Sequence, residues 1–267
     1  MMRALWTASS GMIAQQTNVD VISNNLANVN TTSYKRQRTE FKDLMYQTLD
    51  RAYMLNNQGK PVNLQVGSGT RIAATVSDFS KGSFEITGRP LDFAIDGDAF
   101  FTVNGPKGEV VFTRDGSFKL SPTDAGQKLT TSDGYPVLDD AGNEIIFNIE
   151  DDTKVSISGS GNISYTDQTG ATIPTGQKIG LVKFPNKYGL ENIGNNFYSK
   201  TSASGDPIPD AESGELSNIL SQTLEASNVQ VVDEMVKLII AQRAYEVNSK
   251  AIQASDEMLS QANNLKR

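Results

Sequence analysis

The chain has no cysteine, no histidine and only one tryptophan, Trp6, among its 267 residues. Without cysteine there is no disulfide framework, no thiolate nucleophile and no cysteine-ligated zinc. Without histidine the commonest general base and metal-binding nitrogen are missing, so any catalysis would rest on Asp, Glu, Lys, Tyr or Ser. No run approaches the ~20 consecutive apolar residues of a membrane-spanning helix. Residues 1–29 carry Arg3 but interleave polar residues at helical spacing instead of forming a continuous apolar core, so a cleaved leader is not expected. Basic charge is scarce as well: the formal charge is -7, and the one dense basic cluster, Lys35, Arg36 and Arg38, runs directly into Glu40. That cluster reads as a solvated surface, and no nucleic-acid partner is expected.

What the chain does have is a matched pair of helical ends. Near the N-terminus Leu5, Ala8, Met12, Val19, Ile22, Leu26 and Val29 follow alternating steps of three and four, with Gln15 as the polar interruption. Near the C-terminus Leu224, Val231, Leu238, Tyr245, Ile252 and Leu259 recur every seven residues. A second row, Ile240, Ala244, Val247, Ala251, Ala254, Met258 and Leu265, lies on another face. The first pattern predicts a helix over 3–26 and the second a helix over 220–264, about 65 Å long at 1.5 Å per residue. A domain of about 140 residues is only ~30 Å across, so much of that helix must project. One seam can pair the two ends of a subunit. The other would face water in a monomer, which points to self-assembly. Thr7, Ser9, Ser10, Gly11, Thr17, Asn18, Val19 and Val21 are mediocre helix formers, so the first helix should fray without partners.

Between the ends the pattern changes to short strands and turns. Asp96-Gly97, Asn104-Gly105, Asp115-Gly116, Asp133-Gly134 and Ala141-Gly142-Asn143 punctuate apolar runs at 91–95, 99–103, 110–113, 145–149, 155–157 and 179–184. This predicts an antiparallel meander or barrel-like β-domain. Ahead of it, Phe41, Leu44, Met45 and Leu49 mark a short helix or extended piece. Asn56, Asn57, Gly59, Pro61, Gly67 and Gly69 mark a connection of about twenty residues that reads as an extension or a hairpin. Pro207 and Pro209 read as a polar linker leading to Ser213, Gly214, Glu215 and Leu216. The expected class is α+β, divided into an N-terminal helix (1–34), a connector with an extended segment (35–69), a β-rich domain (70–210) and a C-terminal helix (211–267).

Three clusters invite a chemical reading. Asp96 and Asp98 could form half of a glycosidase pair, but both flank Gly97 at a strand turn, where Asp and Gly are chosen for backbone shape. Asp139, Asp140, Gly142, Asn143 and Glu144 loosely evoke a calcium loop but lack its alternating ligand spacing and distal Glu. Gly67 and Gly69 invite comparison with a phosphate cradle, yet neither opens a helix and no Gly-Lys-Ser/Thr follows. No catalytic, cofactor or metal site is expected.

Ser23-Asn24-Asn25-Leu26-Ala27-Asn28-Val29-Asn30-Thr31-Thr32-Ser33-Tyr34-Lys35 resembles the N-terminal signature of the bacterial flagellar rod and hook family. Ala241-Gln242-Arg243-Ala244-Tyr245-Glu246-Val247-Asn248-Ser249-Lys250-Ala251-Ile252 resembles its C-terminal partner. Asp92-Phe93-Ala94-Ile95-Asp96-Gly97-Asp98-Ala99-Phe100-Phe101 and Phe112-Thr113-Arg114-Asp115-Gly116-Ser117-Phe118 are similar to motifs of its β-domain. The resemblance covers essentially the whole chain. It implies an axial protein exported unfolded through the flagellar type III apparatus without signal cleavage, and assembled into a hollow helical tube of terminal helices with the β-domain outside. Implied partners are further copies of the chain, other rod and hook proteins, a surrounding envelope bushing and the export apparatus, with no small-molecule substrate. The implied location is the basal body, beyond the cytoplasm.

The run Arg36-Gln37-Arg38-Thr39-Glu40-Phe41-Lys42-Asp43-Leu44-Met45-Tyr46-Gln47-Thr48 looks closest to the distal-rod subgroup, in which the following segment, here 49–66, packs between subunits and stiffens the rod. Ser33 stands where the family usually has Gly, and Asp50-Arg51-Ala52 replaces a Pro/Gly-containing sequence; the latter leaves a proximal-rod or hook-type assignment open. The alternative from outside the family is a secreted wall hydrolase using a carboxylate pair. On the assembly reading the working residues are Leu5, Met12, Val19, Ile22, Leu26, Val29, Leu224, Val231, Leu238, Tyr245, Val247, Ile252, Met258 and Leu259.

Overall fold

The computed structural model describes residues 2–50, 53–55, 58–60, 63–106, 108–123, 126–147, 155–166, 172–212 and 216–264. Arg51, Ala52, Asn56, Asn57, Pro61, Ile149, the 213–215 stretch and Leu265, all invoked from the sequence, lie outside the described residues. The chain divides into two compact units. The first holds 1–27, 37–78 and 230–267; the second holds 28–36 and 79–229.

In the first unit, helix α1 (Met2–Ala27) precedes strands β1 (Gln37–Asp43), β2 (Gln47–Asp50), β3 (Tyr53–Leu55), β4 (Gln58–Lys60), β5 (Leu64–Val66) and β6 (Thr70–Ser77); helix α2 (Val231–Asn264) closes it. The piece containing Phe41, Leu44, Met45 and Leu49 is extended, not helical. β1 pairs antiparallel with β6, β2 with β5, and β3 with β4, so the connection is a ribbon of nested hairpins. β6 belongs with the helices through its pairing to β1, so the β-unit opens after residue 78 and not at the expected residue 70.

The second unit contains β7 (Phe84–Ile86), β8 (Phe93–Asp96), β9 (Phe100–Asn104), β10 (Val110–Thr113), β11 (Lys119–Thr123), β12 (Gly126–Thr130), β13 (Ile146–Phe147), β14 (Val155–Ile157), β15 (Asn162–Thr166), β16 (Thr172–Lys178), β17 (Leu181–Lys183), β18 (Glu191–Gly194), β19 (Phe197–Ser199), β20 (Ile208–Pro209), β21 (Asn218–Ser221) and β22 (Thr223–Glu225). Every ladder pairing among the described strands is antiparallel, and the largest sheet runs β18-β19-β10-β9-β17-β20. Both faces of this sheet are covered. The two-residue period puts Phe101, Val103, Val111 and Phe197 into the main core, and Phe100, Phe112 and Tyr198 into a second aromatic cluster with Phe79. The apolar run 99–103 therefore reads as continuous instead of alternating. Within the second cluster, Phe79 and Phe100 meet edge to face with centroids 5.6 Å apart.

Two expectations fail in the run-up to α2. Pro209 lies in β20, paired to Val182, and the adjacent Asp210 is buried, so this stretch is anchored and not a free linker. The C-terminal helix starts at Val231, not near residue 220. Residues 218–221 and 223–225 form β21 and β22, paired with β8 and β7, and Ile219 enters the core. Leu224 matches the heptad spacing by numerical coincidence; burial of its neighbours in a sheet outweighs the helical period. Asp233 and Glu234 supply the negative charge that a helix N-terminus favours. The 34 residues of α2 span about 51 Å.

Candidate assembly surface

α1 and α2 pack as an antiparallel hairpin. Asn25 near the end of α1 bonds Glu234 near the start of α2, and Gly11 faces Asn248 further along. The stripe that α2 turns inward is Glu234, Leu238, Ala241, Asn248, Ile252, Ser255 and Leu259, in steps of three, four and seven. Four of these seven, Glu234, Ala241, Asn248 and Ser255, are small or polar, so the helices can approach closely. A Cβ placed on Gly11 would come within 2.9 Å of the Asn248 amide.

Asn25 is the strongest polar anchor of this unit. Its buried amide donates to the Gln37 carbonyl (2.7 Å) and to Glu234 Oε2 (3.1 Å), and its Oδ1 accepts the Gln37 N–H (2.8 Å). One side chain thus ties α1, β1 and α2 together. Glu234, itself buried, also takes Lys237 Nζ at 2.6 Å.

The second row of α2 stays uncovered. Ile240 is 63% exposed, Val247 65% and Met258 49%, with Val232, Val236 and Ile239 also open. On α1 the sole tryptophan, Trp6, is 73% exposed, and Ile13 one heptad later is nearly as open. Scattered apolar exposure is ordinary; exposure in rows at heptad spacing on two helices makes this face the candidate assembly surface.

Of the residues expected at the interface, Ile22 is buried, while Leu5, Met12, Val19, Leu26, Leu238, Ile252 and Leu259 are half-buried in the seam-facing rows. Tyr245, in the same row, is more open. Val231 is exposed in the first turn, Val29 lies beyond the end of α1, and Leu224 sits in β22. Asn25, Glu234, Trp6 and Ile13 are absent from the interface residues that the sequence leads one to expect. The last two lie one residue past Leu5 and Met12 and a heptad apart, and that spacing is the signal the sequence carries.

The chemical candidates are each committed elsewhere. Asp96 pairs with Lys81 (2.6 Å) and Asp98 with Lys187 (3.1 Å). Burial works to raise the Asp98 carboxyl, but Lys187 beside it, with Arg114 and Lys81 further off, holds it below the usual carboxylate range. A general acid would need the opposite shift. The turn between them is packed: a Cβ on Gly97 would lie 2.3 Å from Ser217 Oγ. Asp139 Oδ1 accepts the N–H groups of Ala141 (2.9 Å) and Asn143 (2.8 Å), a side-chain turn, while Glu144 pairs with Lys128. Gly69 has φ of +108° and presses against α1, where a Cβ would overlap Ser10 Oγ.

The second unit holds a deeply buried charge cluster. Glu225 Oε1 accepts Lys35 Nζ at 2.6 Å and the Gly82 N–H at 2.9 Å; Glu225 Oε2 accepts Arg114 Nε at 3.3 Å. Arg114 also donates to the Gly97 carbonyl (2.7 Å) and lies 5.6 Å from the centroid of the Phe100 ring. Ser33, at φ of 55°, donates its hydroxyl to the Arg114 carbonyl (2.8 Å) and its N–H to the Glu225 carbonyl (2.8 Å). Burial nearby pushes the Tyr198 phenol well above its ordinary range and raises the Asp115 carboxyl. Lys35 and Arg114 sit in segments marked by the family resemblance; Glu225 carried no sequence signal.

Three family descriptions match along the chain: flagella basal body rod protein over residues 5–35, flagellar hook protein FlgE/F/G D1 domain over 94–165, and flagellar basal body rod FlgEFG protein C-terminal over 220–265. The flagellar basal-body rod protein FlgG of Borreliella burgdorferi is 48% identical over 272 residues, spanning 100% of both chains. The protein of the same name from Caulobacter vibrioides is 43% identical, covering 99% of this chain and 100% of its own. That from Bacillus subtilis is 39% identical, covering 100% of both. With such identity sustained from end to end, the chain belongs to the flagellar basal-body rod protein family.

Proposed function

We propose that this chain is a structural subunit of the flagellar rod, of the distal type, and that it builds a hollow helical tube by burying the outer rows of α1 and α2 against neighbouring copies. The carrying observation is the uncovered row Ile240, Val247 and Met258 beside a seam already closed by α1. A head-to-tail contact between two unlike surfaces, repeated without closing, generates a filament. Each Å² of apolar surface buried contributes ~25 cal/mol, enough over several such side chains to offset the ordering of weak helices. The β-unit would form the outside of the tube, and the ribbon 49–66 would pack between subunits and stiffen it. Torque transmission then needs no catalytic group; the commitment of Asp96 and Asp98 to lysines supports a structural role over a hydrolytic one. A location beyond the cytoplasm, and contact with other rod and hook proteins, the bushing and the export apparatus complete this reading.

Val247→Asp tests it, because the side chain points to water in the monomer and would enter the tube interface. Swimming and filament formation should be abolished while the thermal unfolding of purified monomer stays unchanged. Normal swimming would overturn the proposal.

A further inference from the structure

In the second unit the anion shared by two buried cations arrives on the last strand. Lys35, Arg114 and Glu225 are all shielded from solvent, and their side chains belong to segments separated by 190 and 111 positions. Among the described residues the only ion pair of Arg114 is with Glu225. Arg114 is central to the core: its guanidinium holds the carbonyls of Ile95 and Gly97 at the β8–β9 turn and lies near the Phe100 ring. Removing one partner of a buried pair leaves an uncompensated charge, among the least favourable states a core can hold. β22 also brings the backbone that receives Ser33 and Ala226 closes onto Ser83.

We infer that Glu225 is a folding gate: the core of the β-unit closes only when β22 docks and its carboxylate reaches Lys35 and Arg114. A chain made from its N-terminus therefore holds most of the β-unit sequence in an open state until the segment next to α2 is available. The order of events follows from where the counter-charge lies in the sequence. It adds the loop-closure entropy of contacts 190 and 111 positions apart before the reward from the core is collected.

Pulse-labelled hydrogen exchange during refolding of the full chain tests the gate. The amides of Thr102, Asn104 and Leu129, each bonded within the core, should gain protection in the same phase as those of Ser33, Thr223 and Ala226. Protection of the core amides in an earlier phase would overturn it. Glu225→Gln should slow all six amides together by about tenfold or more, and an unchanged rate would contradict the gate. The charge-free combination Lys35→Met, Arg114→Met and Glu225→Leu should let the core amides become protected ahead of Ala226; a retained common phase would show that charge is not the cause. The wild-type time course decides even where a substituted chain does not fold.

Discussion

The β-unit and the helical unit solve the burial problem in opposite ways. In the β-unit, nineteen buried residues among those described, between Leu91 and Ile219, form one continuous core, with a second aromatic cluster behind its largest sheet. In the helical unit, the buried apolar residues of the two helices are Ala8, Ala14, Ile22 and Ala241, while Trp6, Ile13, Ile240 and Val247 face water. One unit is finished as a monomer. The other is a hairpin held by small residues and a few polar ties, with its larger side chains kept outside. On the proposed assembly, stability and self-association are assigned to different parts of one chain.

Phe101→Ala should expose that division most strongly. It removes a fully buried ring that meets Phe118 edge to face at 5.1 Å, and should destabilise the β-unit by about 3–5 kcal/mol in denaturant unfolding. Val247→Asp should do the reverse, ending assembly with monomer stability untouched. Asn25→Ala comes next: it leaves Glu234 and the Gln37 backbone short of partners, and should cost the hairpin about 1–3 kcal/mol, read as faster amide exchange in α1 and α2 with no change in β9 or β10. If β9 and β10 loosen equally, the two regions are not energetically separate.

The smallest effect concerns pH. Asp210 is buried and partly raised by that burial, but the Ser217 N–H, the Ser217 hydroxyl and Lys183 outweigh it and hold its carboxyl below the ordinary 3.8. A depressed folded pKa stabilises the native state above the unfolded value, and that contribution is lost as pH falls from about 3.8 through the lower folded value. Asp210→Asn should therefore be less stable than the parent at neutral pH and flatten its acid limb in thermal melts between pH 5 and 2. An acid limb identical in both chains would remove Asp210 from the account.

Much of this was legible in the sequence for a physical reason: periodicity records which faces are buried. The row Ile240, Ala244, Val247, Ala251, Ala254 and Met258 is visible as a second seam because its spacing is helical, and all of these but Ala244 face water as a spare seam would. The turns at Asp133-Gly134 and Ala141-Gly142-Asn143 were visible because Gly134 and Gly142 occupy positive φ. Leu224 misled because heptad spacing alone does not distinguish a helix from a strand that happens to place Leu at the right number. Glu225 and Glu234 were invisible for a different reason: a buried carboxylate looks like any surface carboxylate until its partners, 190 or 209 positions away, are brought to it.

The central claim is that the outer rows of the helices are completed only by other copies of the chain, while the β-unit is complete alone. Amide exchange across α2 and across β9 and β10, measured in the monomer and again in assembled material, tests it most directly. The account predicts that amides of residues 236–258 exchange quickly in the monomer and slow by orders of magnitude on assembly, while β9 and β10 are protected in both. Full protection of 236–258 in a verified monomer, or no gain on assembly, would contradict it.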